Sequence, residues 1–192
     1  MDKAKYIVKY LILLVTQPEE TWIHLCKEDV QEAKPQYMMT NYYWPLLGFM
    51  ALFIFLVSGY SREGGFNLQN GMTTMVPSLV GFFIGPYLAM FLLKELLPTR
   101  FFELQNPDQD RLHLFVFYCS SYLVLVEMAC SLIPSIAFVH LADYYLVYII
   151  WTAMTTIVRI PANHSWLFCF VAFLVIYFSP SLTIKLLQFM QH

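Results

Sequence analysis

The chain has 192 residues, of which 59% are hydrophobic and only 12% are charged, and its mean hydropathy is +0.58. Soluble domains are about half apolar and about a quarter charged, so this composition predicts an integral membrane protein whose first partner is the lipid bilayer. The formal net charge is −2. No cluster of basic residues interleaved with aromatic ones occurs, which excludes nucleic acid as a partner.

Five apolar runs predict an all-α, polytopic membrane protein. Each run is close to the length of about 20 residues that a helix needs to cross about 30 Å of hydrocarbon. The predicted spans are residues 38–59, 71–93, 112–134, 140–158 and 166–184. They form one predicted transmembrane bundle over residues 37–192, preceded by cytoplasmic, interfacial or amphipathic helices over residues 1–36.

The first of these N-terminal helices is predicted over residues 6–15. That run is too short to cross a bilayer and contains Lys9, as is typical of a helix that lies in the headgroup region. The next residues have the T-x-x-E spacing of a capping box, formed by Thr16 and Glu19. Pro18 needs no donor in a first helical turn, so a second helix is predicted to start here.

One narrow apolar stripe follows the second helix. Trp22, Cys26 and Val30 recur at helical spacing, and charged residues cover the rest of the surface. The stripe either docks a partner protein or anchors a solvated helix to the membrane. Anchoring is the favoured interpretation, because single apolar side chains on a helix rarely mark an interface.

Small residues in the second span predict close helix packing. Gly81 and Gly85 form a G-x-x-x-G pattern, and Ser78 extends the same face. Pro77 and Pro86 flank this pattern. They predict either a kinked packing helix or a discontinuous helix of the kind that transporters use at substrate sites, and the kinked packing helix is favoured.

The third span contains an acid, Glu127, deep inside an apolar run, which is a site hypothesis by default. A turn over residues 134–139 places Glu127 at the depth of His140, Asp143 and Tyr144. These groups either handle a proton or ion, or form a metal site, although one histidine is poor for zinc. Alternatively, Glu127 is protonated and donates a structural hydrogen bond, which is the favoured interpretation.

Basic residues predict the orientation of the chain. With the N-terminus cytoplasmic, nine Lys and Arg residues lie inside and two lie outside. The nine are Lys3, Lys5, Lys9, Lys27, Lys34, Lys94, Arg100, Arg111 and Arg159, and the two are Arg62 and Lys185. The C-terminus is then outside. The membrane is the bacterial inner membrane for a prokaryotic source and the endoplasmic reticulum or Golgi membrane for a eukaryotic one.

The sequence contains no H-E-x-x-H, no G-x-S-x-G, no glycine-rich phosphate loop and no His/Cys cluster with ligand spacing. No catalytic residue, cofactor or metal ligand is therefore assigned. The preferred hypothesis is a non-enzymatic scaffold or adaptor that binds other membrane proteins or a second copy of itself. The alternative is a small transporter or ion-coupled permease that uses Glu127.

Two stretches resemble the bacterial-type members of the Yip family, QPEETWIHLCKED at residues 17–29 and YYWPLL at residues 42–47. The resemblance covers the whole chain in layout. It implies a five-span fold and a non-enzymatic role; eukaryotic members interact with Rab/Ypt GTPases in the early secretory pathway. The Gly-Tyr element of those members has no clear counterpart here, Ser121-Tyr122 being the nearest, so the resemblance does not carry GTPase binding over to this chain.

Overall fold

The computed structural model describes residues 3–26, 34–61, 65–97, 108–132, 141–158, 160 and 164–190. Nearly all of these residues are helical, which confirms the all-α prediction. The helices are α1 Lys3–Thr16, α2 Pro18–Leu25, α3 Pro35–Met38, α4 Trp44–Gly59, α5 Leu68–Leu96, α6 Gln109–Leu132, α7 Leu141–Ala153 and α8 Ser165–Met190. π-Helical turns at Met39–Tyr43 and Met154–Val158 extend α4 and α7. Strands β1 (Tyr60–Ser61) and β2 (Gly65–Phe66) form a short antiparallel hairpin before α5.

Four of the described helices are long and apolar enough to cross a membrane: Pro35–Gly59, Leu68–Leu96, Gln109–Leu132 and Ser165–Leu186. Four of the five predicted spans therefore coincide with candidate membrane helices, and the count of five is not confirmed. The remaining predicted span forms α7 and its π-helical turn, which have 13 and 5 residues. A helix of that length rises at most about 27 Å, less than the hydrocarbon thickness of about 30 Å.

Helix α6 is the central helix of the bundle. In its most apolar window 67% of residues are buried, compared with 39% to 44% in the other three long helices. Its buried side chains include Phe115, Phe117 and Tyr118. Most side chains of α6 up to Val126 therefore contact other helices, and Glu127 lies just beyond this buried part and is half-buried.

A proline in α5 is matched by a hydroxyl on a neighbouring helix. Pro86 lies inside α5 and has no N–H to donate to the carbonyl of Phe82, four residues earlier. The Tyr43 hydroxyl donates to that carbonyl at 2.7 Å, and the Tyr43 side chain is only 1% exposed. The carbonyl that Pro86 leaves without a helical donor thus receives a hydrogen bond from the neighbouring helical segment.

Helices α5 and α8 approach closely at the predicted small residues. A Cβ atom placed on Gly85 would lie 2.9 Å from the backbone nitrogen of Pro180, and one on Gly81 would lie 2.6 Å from Cγ1 of Ile184. Ser78 is buried on the same helix. The small-residue face of α5 that was predicted to pack against another helix is therefore covered by α8 of the same chain.

The N-terminal helices pack into the bundle rather than beside it. Trp22 is 0% exposed, and its Nε1 donates to the carbonyl of Ile149 in α7 at 3.2 Å. The Tyr145 hydroxyl, also in α7, donates to the carbonyl of Val15 at the end of α1 at 2.7 Å. Hydrogen bonds at two positions of α7 therefore attach both α1 and α2 to this helix.

The predicted capping box is wrong. Thr16 is the last residue of α1, and its hydroxyl donates back to the carbonyl of Ile12 at 2.8 Å instead of accepting from Glu19. Gln17 occupies the N-cap position of α2 and makes no side-chain capping bond. A helical Thr16 backbone cannot serve as an N-cap, because that position needs a non-helical conformation. Pro18 does begin α2, as predicted.

Candidate functional site

A cavity of about 240 Å³ lies between α5, α6, α7 and α8. Two carboxylates line it, Glu127 from α6 and Asp143 from α7. Its other polar lining is provided by Cys130, Tyr177 and Ser181. The remaining lining is mostly apolar and includes Phe82, Leu123, Pro180 and Ile184. The cavity is thus a small, largely apolar space at which acidic groups from two helices meet.

The order of the helices explains why the two carboxylates meet. Glu127 lies near the end of α6, and Asp143 lies in the first turn of α7, the next helix along the chain. When two consecutive helices run antiparallel, the end of the first and the start of the second lie at similar depth in the bundle. The first turn of a helix also favours an acidic residue, because its free N–H groups point toward negative charge.

Helix α8 supplies a partner for Asp143 that sequence reasoning missed. The Tyr177 hydroxyl donates to Oδ2 of Asp143 at 3.3 Å. Asp143 itself is only 9% exposed. One signal was present in the sequence: Tyr177 and Ser181 are polar groups four residues apart, on either side of Pro180, near the end of the last apolar run.

One predicted site residue, Tyr144, does not line this cavity. Tyr144 is 66% exposed and lines a separate groove, so its predicted convergence with Glu127 is wrong. Successive residues on a helix point about 100° apart, so Asp143 lines both the cavity and the groove, whereas Tyr144 lines the groove and not the cavity. His140 lies outside the described residues.

The stripe predicted on α2 faces the bundle. Trp22 is buried against Phe115 and Tyr118 of α6, with ring centroids 6.4 Å and 6.0 Å away. The thiol of Cys26 donates to the carbonyl of Thr156 at 3.2 Å. Val30 lies outside the described residues. Trp22 and Cys26 therefore attach the N-terminal segment to α6 and to the extension of α7, and Trp22 leaves no surface for a partner or for lipid.

The cavity chemistry favours a proton or a small cation. Two carboxylates that share a low-dielectric space repel each other when both are ionised, and a proton or cation bound between them removes that repulsion. Among the described residues, no group of three or more His, Cys, Asp or Glu side chains is arranged to hold a metal ion. A tightly coordinated transition metal therefore has no ligand set within this part of the chain.

Comparison of the chain with protein-family models, with curated proteins and with solved structures finds no match. The resemblance to the Yip family therefore stays a prediction that depends on the two sequence stretches alone. The function has to be inferred from the geometry of the cavity and its surroundings.

Proposed function

We propose that the protein is a non-enzymatic, five-span membrane protein that binds and exchanges a proton or a small monovalent cation in the cavity beside Glu127, with its N-terminus in the cytoplasm. The single observation that carries this proposal is that Glu127 and Asp143, from two different helices, line the same cavity. A carboxylate inside a membrane-spanning segment is costly unless it has a partner, and such residues commonly mark ion or proton pathways.

The surrounding helices support this proposal. Pro180 lines the cavity, and α8 contains this proline within its helical length. Prolines inside spanning helices mark points where the backbone ladder is interrupted, and transporters place coupling-ion sites next to such interruptions. Helix α7 is the proposed fifth span, and Asp143 lies in its first turn, so this short helix also supports the proposal.

The adaptor hypothesis was based on two surfaces, the apolar stripe on α2 and the small-residue face of α5. Trp22 is fully buried within the bundle, and Gly81 and Gly85 are covered by α8. Binding of a partner protein stays a prediction, although Trp22, Gly81 and Gly85 themselves do not face one. The geometry therefore supports the ion-binding alternative better.

The decisive experiment measures cation and proton flux in liposomes that contain the full chain. A pH-sensitive dye reports proton movement, with sodium or potassium gradients imposed in separate runs. We expect flux in the wild type and its abolition in Glu127→Gln, because the amide keeps the shape of the side chain but cannot release a proton. Helical content and a monodisperse elution profile should be the same in both proteins.

Glu95→Gln is the matched control, because Glu95 is an exposed acid at the end of α5 that does not line the cavity. Its flux should equal that of the wild type. A wild type that moves neither protons nor these cations, or a Glu127→Gln variant that moves them at the wild-type rate, would refute the proposal. The second outcome would assign Glu127 a structural hydrogen-bonding role.

A further inference from the structure

A second groove, of about 320 Å³, lies on the exposed side of the contact between α7 and α8. Its lining residues are Asp143, Tyr144, Phe173, Leu174, Tyr177 and Phe178. Asp143 and Tyr177 also line the cavity beside Glu127, so their hydrogen bond stands between the two spaces. The volume lies at the lower end of the range of small-molecule sites, about 300–1,000 Å³.

Aromatic rings form most of the walls of this groove. The Phe173 and Tyr177 rings are stacked, with centroids 5.5 Å apart and an interplanar angle of 14°. The Phe178 ring meets the Tyr177 ring edge to face at 5.2 Å and 88°. Tyr144 and Phe178 are 66% and 53% exposed, so they present ring surface to whatever enters the groove.

The only carboxylic acid among the described lining residues is Asp143, and no basic side chain is among them. One carboxylate within an aromatic enclosure has the chemistry of a site for an organic cation. The face of an aromatic ring attracts positive charge. Alkylammonium groups benefit most from this attraction, because they are weakly hydrated and lose little hydration when they bind. An inorganic cation would need several oxygen ligands, which this groove does not supply.

We propose that this groove binds an alkylammonium group, such as the trimethylammonium of choline, with Asp143 as the counter-ion and the rings of Tyr144, Tyr177 and Phe178 as its walls. The group can belong to a phospholipid headgroup or to a free solute, since both present the same chemistry. This site does not depend on ion exchange at Glu127, because Glu127 lines the other cavity and not this groove.

The test uses the purified full chain in nanodiscs made of phosphatidylglycerol, which lacks a trimethylammonium group. Saturation-transfer NMR follows binding of choline through its trimethyl protons. The matched probe is 3,3-dimethylbutan-1-ol, a neutral molecule of the same shape. We expect saturable binding of choline and none of the alcohol. Equal signals from the two probes would show plain apolar partitioning and overturn the proposal.

Variants test the walls and the counter-ion separately. Phe178→Leu should weaken choline binding about 2- to 30-fold, the range that corresponds to one lost cation–π contact. Asp143→Asn should weaken it at least as much, because the amide carries no charge. Phe91→Leu is the control, since Phe91 is an equally exposed phenylalanine on α5, outside the groove. Unchanged affinity in both Phe178→Leu and Asp143→Asn would overturn the proposal.

Two further arms identify the source of the ligand and separate this site from the proposed ion cavity. Loss of choline binding in phosphatidylcholine nanodiscs would assign the groove to a lipid headgroup, and unchanged binding would assign it to a free solute. Glu127→Gln should bind choline normally even though its ion flux is abolished. Failure of flux and failure of choline binding are therefore independent results.

Discussion

Replacing Tyr43 with phenylalanine removes one oxygen atom and tests how the proline-containing helix α5 is stabilised. The Tyr43 hydroxyl donates to the Phe82 carbonyl at 2.7 Å, and Pro86 cannot provide the usual donor. The ring of Tyr43 also packs edge to face on Phe117 at 4.9 Å, and a phenylalanine ring retains that contact. Tyr43→Phe therefore changes a single hydrogen bond and little else.

The expected cost follows from the burial of both groups. A buried acceptor left without a donor costs about 1–3 kcal/mol. Hydrogen bonds between membrane helices average about 0.6 kcal/mol with a maximum near 1.7 kcal/mol. Because Pro86 removes the helical alternative, we expect a value toward the upper part of the membrane range, about 1–2 kcal/mol.

A double-mutant cycle with Pro86→Ala isolates the mechanism. In that background the amide of residue 86 can donate to the Phe82 carbonyl, so Tyr43→Phe should cost less than in the wild type. The difference should be about 1 kcal/mol, measured by SDS-induced unfolding of the detergent-solubilised protein followed by circular dichroism. Equal costs of Tyr43→Phe in the two backgrounds would refute the reasoning, since the carbonyl would then not depend on the tyrosine.

Two further predictions test the contacts of α5 and α2 in the same unfolding assay. Gly85→Ala should destabilise the protein by about 1–3 kcal/mol, because the added methyl meets the backbone of Pro180, which cannot move like a flexible side chain. Gly48→Ala is its control: Gly48 has nothing within 4 Å of the added atom, so the change should be neutral or stabilising by up to about 1 kcal/mol. Trp22→Phe should cost about 0.5–1.5 kcal/mol through the lost bond to Ile149, and Trp22→Ala about 3–5 kcal/mol through the lost packing. A Trp22→Ala variant as stable as the wild type would place α2 outside the bundle.

Hydropathy predicted the long helices well because length and apolar composition are properties of each segment alone. The short span after Leu141 shows the limit of that approach. The described part of the span predicted at residues 140–158 consists of α7 and its π-helical turn, with 13 and 5 residues, and it is not among the helices long and apolar enough to cross a membrane. Hydropathy cannot distinguish a short span supported by neighbours from a full one, since the supporting contacts come from distant residues.

The sequence predicts which site residues lie at the same depth, because depth follows from the order of the helices. It does not predict the rotation of each helix about its axis, which decides which neighbour a side chain faces. The meeting of Glu127 and Asp143 follows from the antiparallel arrangement of consecutive helices. Tyr144 was misplaced because a one-residue step turns the side chain by about 100°. Tyr177 was missed because its contact with Asp143 joins α7 to α8, and that orientation is fixed by packing across the whole bundle. The burial of Trp22 was missed for the same reason.

The helices around the cavity are joined by contacts of different kinds and lengths, which affects where a ligand can pass. Helices α5 and α8 meet backbone to backbone at Gly85 and Pro180. Helices α6 and α7 are joined where the Tyr122 hydroxyl donates to the Ala142 carbonyl at 2.6 Å. Between the cavity and the aromatic groove stands the longer bond from Tyr177 to Asp143, at 3.3 Å. This bond joins two side chains, so it can break without displacing a helix backbone.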